Sequence, residues 1–307
     1  MGSVLVCVAA VGVDYCLGEP RRWHPLVAFG RQAERIERKL NTPSGQSVGQ
    51  GALAVALMTG PPVLLAVLLM FWLPTGALWV VSVLVVWLAL SLRGLTEHAR
   101  AVEYPLRAGA IELARTQVGR IVSRKAEALD ESGVATAATE SVLENGADAV
   151  FATIFWFLVA GIPGVVLHRA VNTLDAMWGY RNERLLTFGR VAALLDDALN
   201  WIPARLTALT YALTGRTRTA FHCWQNQAHL WDSPNAGPVM ASGAGALRVT
   251  LGGPAPYTGG IKQRPLLGTG PKASSFTIDQ AISLVRRGVF LWLATLLVLA
   301  VLFGGLS

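Results

Sequence analysis

The chain has 307 residues, of which 53% are apolar and 15% charged, and its formal net charge is +7 at pH 7. A typical soluble domain carries about 25% charged residues, and the mean hydropathy here is +0.46, so the composition excludes an ordinary soluble globular protein in favour of one embedded in a membrane. No stripe of interleaved basic and aromatic residues accompanies the positive charge, which argues against a nucleic-acid groove and makes the charge an orientation signal.

The first apolar run covers 4–13. No basic residue precedes it, no small-x-small cleavage site follows cleanly, and it leads straight into Asp14, Gly18 and Pro20. It reads as a retained helix over about 3–16 and not as a signal peptide. A basic segment at 21–39 follows, in which Glu34, Arg35, Glu37 and Arg38 predict a helix near the membrane surface, and 41–51 is a linker. The runs 53–73 and 76–92 form a hairpin turned at Leu73-Pro74-Thr75-Gly76. Each is near the roughly 20 residues needed to cross hydrocarbon. Polar, mainly helical sequence fills 93–148.

The next apolar stretch, 149–167, contains Gly161-Ile162-Pro163-Gly164, which breaks a helix. A re-entrant insertion keeps the polar blocks on either side of it together, and irregular backbone is tolerated at membrane depth where protein buries it or it lines a cavity. The run 201–213 is a second partial insertion, 215–288 is the most loop-like segment and folds back over the site, and 289–306 is the last span. The expectation is an all-α polytopic membrane protein, a single integral membrane domain over 1–307. It has about four full transmembrane helices, one or two re-entrant or broken helical segments, and cytoplasmic helical and loop insertions. Basic residues gather at 21–39, 93–125, 169–190 and 216–287, which places those regions in the cytoplasm. The three cysteines, Cys7, Cys16 and Cys223, have no metal-ligand spacing.

Glu140, Glu144 and Asp148 fall at i, i+4 and i+8, so a helix puts the three carboxylates on one face with Asn145 beside them. No basic residue lies between Lys125 and His168 to pair with them. Stacked like charges are unfavourable without a cation, and magnesium is the hard cation that carboxylates select. Arg169, Asn172 and Asp175 repeat at spacing three, followed by Gly179-Tyr180-Arg181; Asp196, Asp197, Asn200 and Arg205 come next. Charge beside an apolar stretch is tolerated when paired or metal-bound. Neither a P-loop nor a dinucleotide fingerprint occurs, so a bound nucleotide would rely on Arg169, Arg181 and Arg205, on magnesium, and on backbone amides of the glycine turns at 233–237 and 251–253. No nucleophile elbow or zinc-type histidine spacing is present, and charged residues avoid the spans, which disfavours a hydrolase triad, a zinc enzyme and a transporter.

Taken together, the motifs resemble the CobD/CbiB family of adenosylcobinamide-phosphate synthases. The resemblance rests on Asp14, Gly18 and Pro20 with His24-Pro25; on Glu140, Glu144, Asn145 and Asp148; and on Arg169, Asn172, Asp175, Gly179 and Tyr180. It continues through Asp196-Asp197, Pro203 and Arg205, Ser233-Pro234-Asn235-Ala236-Gly237, and Gly252-Gly253-Pro254 with Tyr257. The chain departs from the family pattern at Lys125, Leu194 and Gln227. The resemblance implies a multi-pass enzyme of the bacterial inner membrane with its active site facing the cytoplasm. Its reaction is ATP- and magnesium-dependent amide ligation of aminopropanol, or its O-phosphate, to the free propionate of adenosylcobyric acid. Alternatives are a paralogue using another amine and a catalytically silent corrinoid-binding or scaffolding protein. Expected catalytic residues are Glu144, Asp148, Asp175 and Asp197. Expected metal ligands are Glu140, Glu144, Asp148 and Asp175. Substrate and phosphate contacts are expected from Asp14, His24, Asn145, Arg169, Asn172, Tyr180, Arg181, Arg205, Ser233, Asn235, Gly252 and Gly253. Expected partners are a corrinoid substrate and membrane lipid, with room for other cobalamin-assembly enzymes and a homo-oligomer, and no nucleic acid.

Overall fold

The computed structural model describes residues 1–307 apart from 21–23, 43–46, 181, 258 and 305–307. The fold is helical except for two small antiparallel sheets near the end of the chain. Four helical stretches are long and apolar enough to cross a membrane: Val48–Trp72, Thr75–Arg107, Glu131–Trp178 and Ser275–Phe303. Helix α1, Gly2–Leu17, is apolar but has 16 residues. At 1.5 Å per residue it spans about 24 Å, less than the roughly 30 Å of hydrocarbon. Large apolar side chains on the outer faces, such as Trp72, Phe290 and Phe303, are exposed, as a lipid-facing exterior requires.

Contacts gather the chain into two compact units. The first contains Met1–Ser91, Ala152–Asn200 and Leu296–Ser307. In it α2 (Pro25–Leu40), α3 (Val48–Trp72) and α8 (Ala152–Trp178) share a core of Ala33, Ala54, Val55, Met58, Leu174 and Trp178, closed by Phe188 from the loop after α8. Helix α4 (Thr75–Ala89) follows the Pro74 turn as the breaker residues predict, and its Trp87 indole donates to the Gly18 carbonyl at the end of α1 (3.0 Å).

The expected break in the 149–167 stretch is present, at the start of the Gly161–Gly164 run. Ala160 (φ −135°, ψ 15°) and Gly161 (φ 60°, ψ −151°) leave helical geometry inside α8. A straight helix would hold residues 156 and 168 about 18 Å apart. Instead the Trp156 indole donates to Leu199 O (3.1 Å) and His168 Nε2 lies 2.9 Å from Asn200 Oδ1, so both arms reach neighbouring residues of α9 (Arg190–Thr214). A Cβ at Gly164 would sit 2.6 Å from the carbonyl oxygen of Trp156, eight residues earlier. Helix α8 is therefore a helical hairpin, and glycine is required where its arms close.

The second unit contains Leu92–Phe151 and Trp201–Thr295. Helices α5 (Leu92–Arg107), α6 (Ile111–Val118) and α7 (Glu131–Asn145) lead into a π-helical turn, Gly146–Phe151. The Tyr211 hydroxyl donates to Leu143 O (2.9 Å) beside that turn, and the Phe151 ring packs edge-on to Tyr211. The segment expected to be loop-like instead carries α10 (Thr217–Gln227) and α11 (Ala236–Leu247), then β1 (Thr250–Gly252), β2 (Ala255–Tyr257), β3 (Gly260–Lys262) and β4 (Leu266–Gly268), before α12 (Ser275–Gly304). The sheets nest: β1 pairs with β4 through Leu251↔Leu267, and β2 with β3 through Pro256↔Ile261. The short apolar-and-small composition of α11 that reads as loop is a buried helix, packed so closely that a Cβ at Gly243 would meet Leu143 Cδ1 at 2.7 Å.

Gly51 tests the packing of the first unit, because a Cβ there would fall 2.0 Å from Phe188 O. Gly51→Ala should cost about 1–3 kcal/mol through overpacking, seen as a lower thermal unfolding midpoint in detergent. Gly49→Ala, whose nearest neighbour is the Ser47 hydroxyl at 3.9 Å, should leave the midpoint unchanged.

Candidate active site

Asp130 caps α7, its Oδ1 accepting the Gly133 N–H (2.7 Å), and Glu140 lies on the buried face that follows. The residue is 2% exposed and its carboxylate is fully engaged. Arg264 donates from Nη1 to Oε2 (2.9 Å) and from Nη2 to Oε1 (3.3 Å), the Gly252 N–H donates to Oε1 (2.8 Å), and Arg124 Nη2 donates to Oε2. Arg264 Nε also donates to Gly253 O (3.0 Å), and its Cζ stands 5.2 Å from the Trp231 ring centre. Burial alone would lower the Arg124 pKa, but the Glu140 charge and hydrogen bond, with Tyr257 adding, hold it above the ordinary arginine value.

The local sequence suggests that the acids of this helix have no basic partners; tertiary contacts supply two to Glu140. That overturns the expectation of Glu140 as a metal ligand, since both its oxygens are already held by guanidiniums. Glu140, Glu144 and Asn145 line one cavity of about 310 Å³ together with Arg124, Arg264 and Ser233. Asp148 is not among the lining residues, because the π-turn that begins at Gly146 breaks the 3.6-residue periodicity that would stack it on Glu144. Among the described residues no group of three or more His, Cys, Asp or Glu side chains is placed to hold a metal ion.

The glycine turns do not offer the backbone amides expected of them. Gly252 N–H is given to Glu140 and Gly253 N–H to Pro265 O (3.1 Å). At the other turn the N–H groups of Asn235 and Ala236 go to Ser233 Oγ (3.3 and 3.2 Å), and that of Gly237 to Ser233 O (3.1 Å). The glycines have a conformational role: Gly252 (φ 80°) passes so near β4 that a Cβ would lie 2.1 Å from Pro265 O. Arg205 is committed as well. It donates to Asn235 Oδ1 (2.7 Å), Pro234 O (2.9 Å) and Trp201 O (3.0 Å) and stacks on the Trp201 ring at 4.5 Å. It clamps the Ser-Pro-Asn turn to α9. Arg205 and the turn border a second cavity of about 720 Å³ walled by Phe221, Trp224 and Trp231.

In the first unit Arg169 Nη1 donates to Asn172 Oδ1 (3.3 Å) and Asn172 Nδ2 to Asp196 Oδ1 (3.2 Å), joining the two arms of the sequence motif between α8 and α9. Tyr180 and Asp197 line a cavity of about 480 Å³ with Trp178 and Arg190. Asp175 lies against Gly179, where a Cβ would be 2.1 Å from its Oδ1. Asp14 is buried on the last turn of α1, and His24 caps α2, its Nδ1 accepting the Leu26 N–H at 3.2 Å, a structural task where a substrate contact was expected. Arg181 lies outside the described residues.

The family model described as CobD/Cbib protein matches residues 7–285. The chain belongs to this family. It is 54% identical over 306 residues to the Cobalamin biosynthesis protein CobD of Stutzerimonas stutzeri, with 99% of each chain covered. Identity is 51% over 312 residues to the protein of the same name from Chromobacterium violaceum, covering 100% of this chain and 99% of that one. It is 38% over 293 residues to that of Mycobacterium tuberculosis, covering 93% and 91%. No solved structure matches the chain. Of the departures from the family pattern, Gln227 has a clear task. Its amide donates to Gly268 O (3.2 Å) and accepts the Gly268 N–H (2.6 Å), a two-way bond that a carboxylate could not complete.

Sequence reading missed Arg264, Trp231, Lys262 and Asp232 as members of this site. The signal available was Glu140 itself, an acid embedded in a run of Ala, Thr and Val that demands a partner from elsewhere in the chain. Glu140→Ala leaves two guanidiniums without their shared counter-charge and should cost about 3–5 kcal/mol, read as a large fall in thermal midpoint.

Proposed function

We propose that the protein is an amide-bond-forming ligase of cobalamin biosynthesis. It joins aminopropanol, or its O-phosphate, to the free propionate carboxyl of adenosylcobyric acid, with ATP as co-substrate. The observation that carries this reading is the match across nearly the whole chain to relatives named for cobalamin biosynthesis. In the proposed chemistry a carboxylate oxygen accepts the terminal phosphoryl group of ATP and ADP leaves. The amine nitrogen then attacks the acyl carbon, the C–N bond forms, and phosphate departs with that oxygen. The amine must shed a proton, and Glu144 is the acid of the expected catalytic set that lines the cavity. Ser233, which lines the same cavity, offers a hydroxyl to a substrate oxygen. Magnesium enters this reading as the counter-ion of the nucleotide phosphates, a setting in which one or two carboxylates suffice; Glu144 fits that smaller demand and Glu140 does not. Tyr180 and Asp197, in the cavity of the first unit, are proposed substrate contacts.

The basic clusters support an inner-membrane protein with this cavity on the cytoplasmic side. Single cysteines placed at 130 and 262 should both react with an impermeant thiol reagent only from the cytoplasmic face; labelling of either from outside would reverse the orientation.

Purified protein in detergent should convert ATP to ADP only when adenosylcobyric acid and an amine are both present. ATP turnover that ignores the amine, or none at all, would reject the ligase in favour of the corrinoid-binding scaffold. Glu144→Gln should fold normally and lower kcat by about 10²–10⁴-fold, the usual contribution of a general base.

A further inference from the structure

We propose that Arg124 and Arg264 form an oxyanion-binding pair in the wall of the 310 Å³ cavity, holding a phosphoryl or carboxylate group of a substrate. The proposal rests on the ligase reading for its choice of substrates, but its geometry stands on the triad alone. Both guanidiniums are buried, at 9% and 6% side-chain exposure, and they share one carboxylate that is 3% exposed. A structural ion pair needs one cation for Glu140; the second leaves the triad with a net positive charge out of bulk water. The other pair in the cavity, Lys262 with Asp232 (2.6 Å), is matched and solvent-exposed. Uncompensated buried charge is costly unless a counter-ion completes it.

The donors are also arranged for an anion. A guanidinium carries five N–H groups in a planar fork, and three of those on Arg264 are engaged, with Gly253 O and the two oxygens of Glu140. Those contacts and the Trp231 face fix the plane of the fork before any ligand arrives, so little freedom is lost on binding. Charge-assisted bonds from such a fork are among the stronger that proteins make to carboxylate and phosphate oxygens. Ser141 and Ser233 place hydroxyls on the same cavity. The groups that would otherwise take an oxyanion are already occupied: the amides of both glycine turns and three N–H groups of Arg205 bond to protein acceptors.

The test uses the full chain in detergent with inorganic phosphate as probe, against sodium chloride at equal ionic strength. Phosphate should raise the thermal midpoint of the wild type. Arg124→Lys and Arg264→Lys keep the charge but lose the fork, and each should weaken phosphate binding at least tenfold, while Arg205→Lys should not. Glu140→Gln removes the internal counter-charge, so phosphate should stabilise that variant more than the wild type; a merely structural triad gives no such rescue. Equal phosphate binding by the wild type and both Arg→Lys variants overturns the proposal, as does a wild type that ignores phosphate. Competition separates the sources. Displacement of phosphate by ATP assigns the pair to the nucleotide, displacement by the corrinoid or by the amine's O-phosphate assigns it to that substrate, and displacement by none of them overturns a role in ligation. Wild-type ligation in a protein that binds no phosphate rejects the pair and leaves the ligase reading standing. ATP turnover without both substrates rejects the ligase and leaves the pair standing.

Discussion

A carboxylate inside a helix of small apolar residues is unstable there by itself, and the second unit is organised around satisfying it. Glu140 draws Arg124 from the turn before α7, Arg264 from the strand connection ahead of β4, and the Gly252 amide from β1. Three segments remote in sequence are thereby pinned to one helix. The nested sheets are too short to stand alone, since a two-stranded ribbon is marginal in water. Anchored at Glu140 on one side and at Gln227 through Gly268 on the other, they close a cavity whose walls would otherwise be loop.

Irregular backbone recurs wherever this chain brings polar groups near apolar helices. The α8 hairpin folds at Ala160–Gly161, and the π-turn after α7 displaces Asp148 from the line of its predecessors. A side chain bonds across beside each break: Trp156 of α8 donates to α9 near the first, and Tyr211 of α9 donates to Leu143 O near the second. Backbone of this kind survives at membrane depth because protein, and not lipid, meets its polar groups.

The apolar runs, the Pro74 turn and the Gly-Pro break were legible because length, hydropathy and breaker residues act locally. The α10–α11 region was not, because its alanines and glycines carry no periodicity; it becomes a helix only through burial against Leu143 and its neighbours. For the site, Glu140 and Glu144 line one cavity as their helical spacing suggests, whereas Asp148 follows the π-turn at Gly146, which nothing local announces. The role of Glu140 was misjudged for a different reason: its partner Arg264 stands 124 residues away, beyond any spacing rule. Arg205 and the glycine turns carried family motifs, yet their donors serve the turn itself. A motif shared with a family marks residues that matter without saying whether they touch substrate or hold the groups that do.

The distance between those partners has a temporal side. A ribosome adds about 5–20 residues per second, so the 124 residues separating Glu140 from Arg264 correspond to roughly 6–25 s of synthesis. Throughout that interval α7 exists while one of the two cations that complete its carboxylate has yet to be made. Arg124 precedes it and can pair early, which leaves a half-built centre lacking its second guanidinium. The final seating of α7 therefore waits on a hairpin made shortly before the last helix, and a nascent chain stalled between α11 and β4 would carry its cavity open.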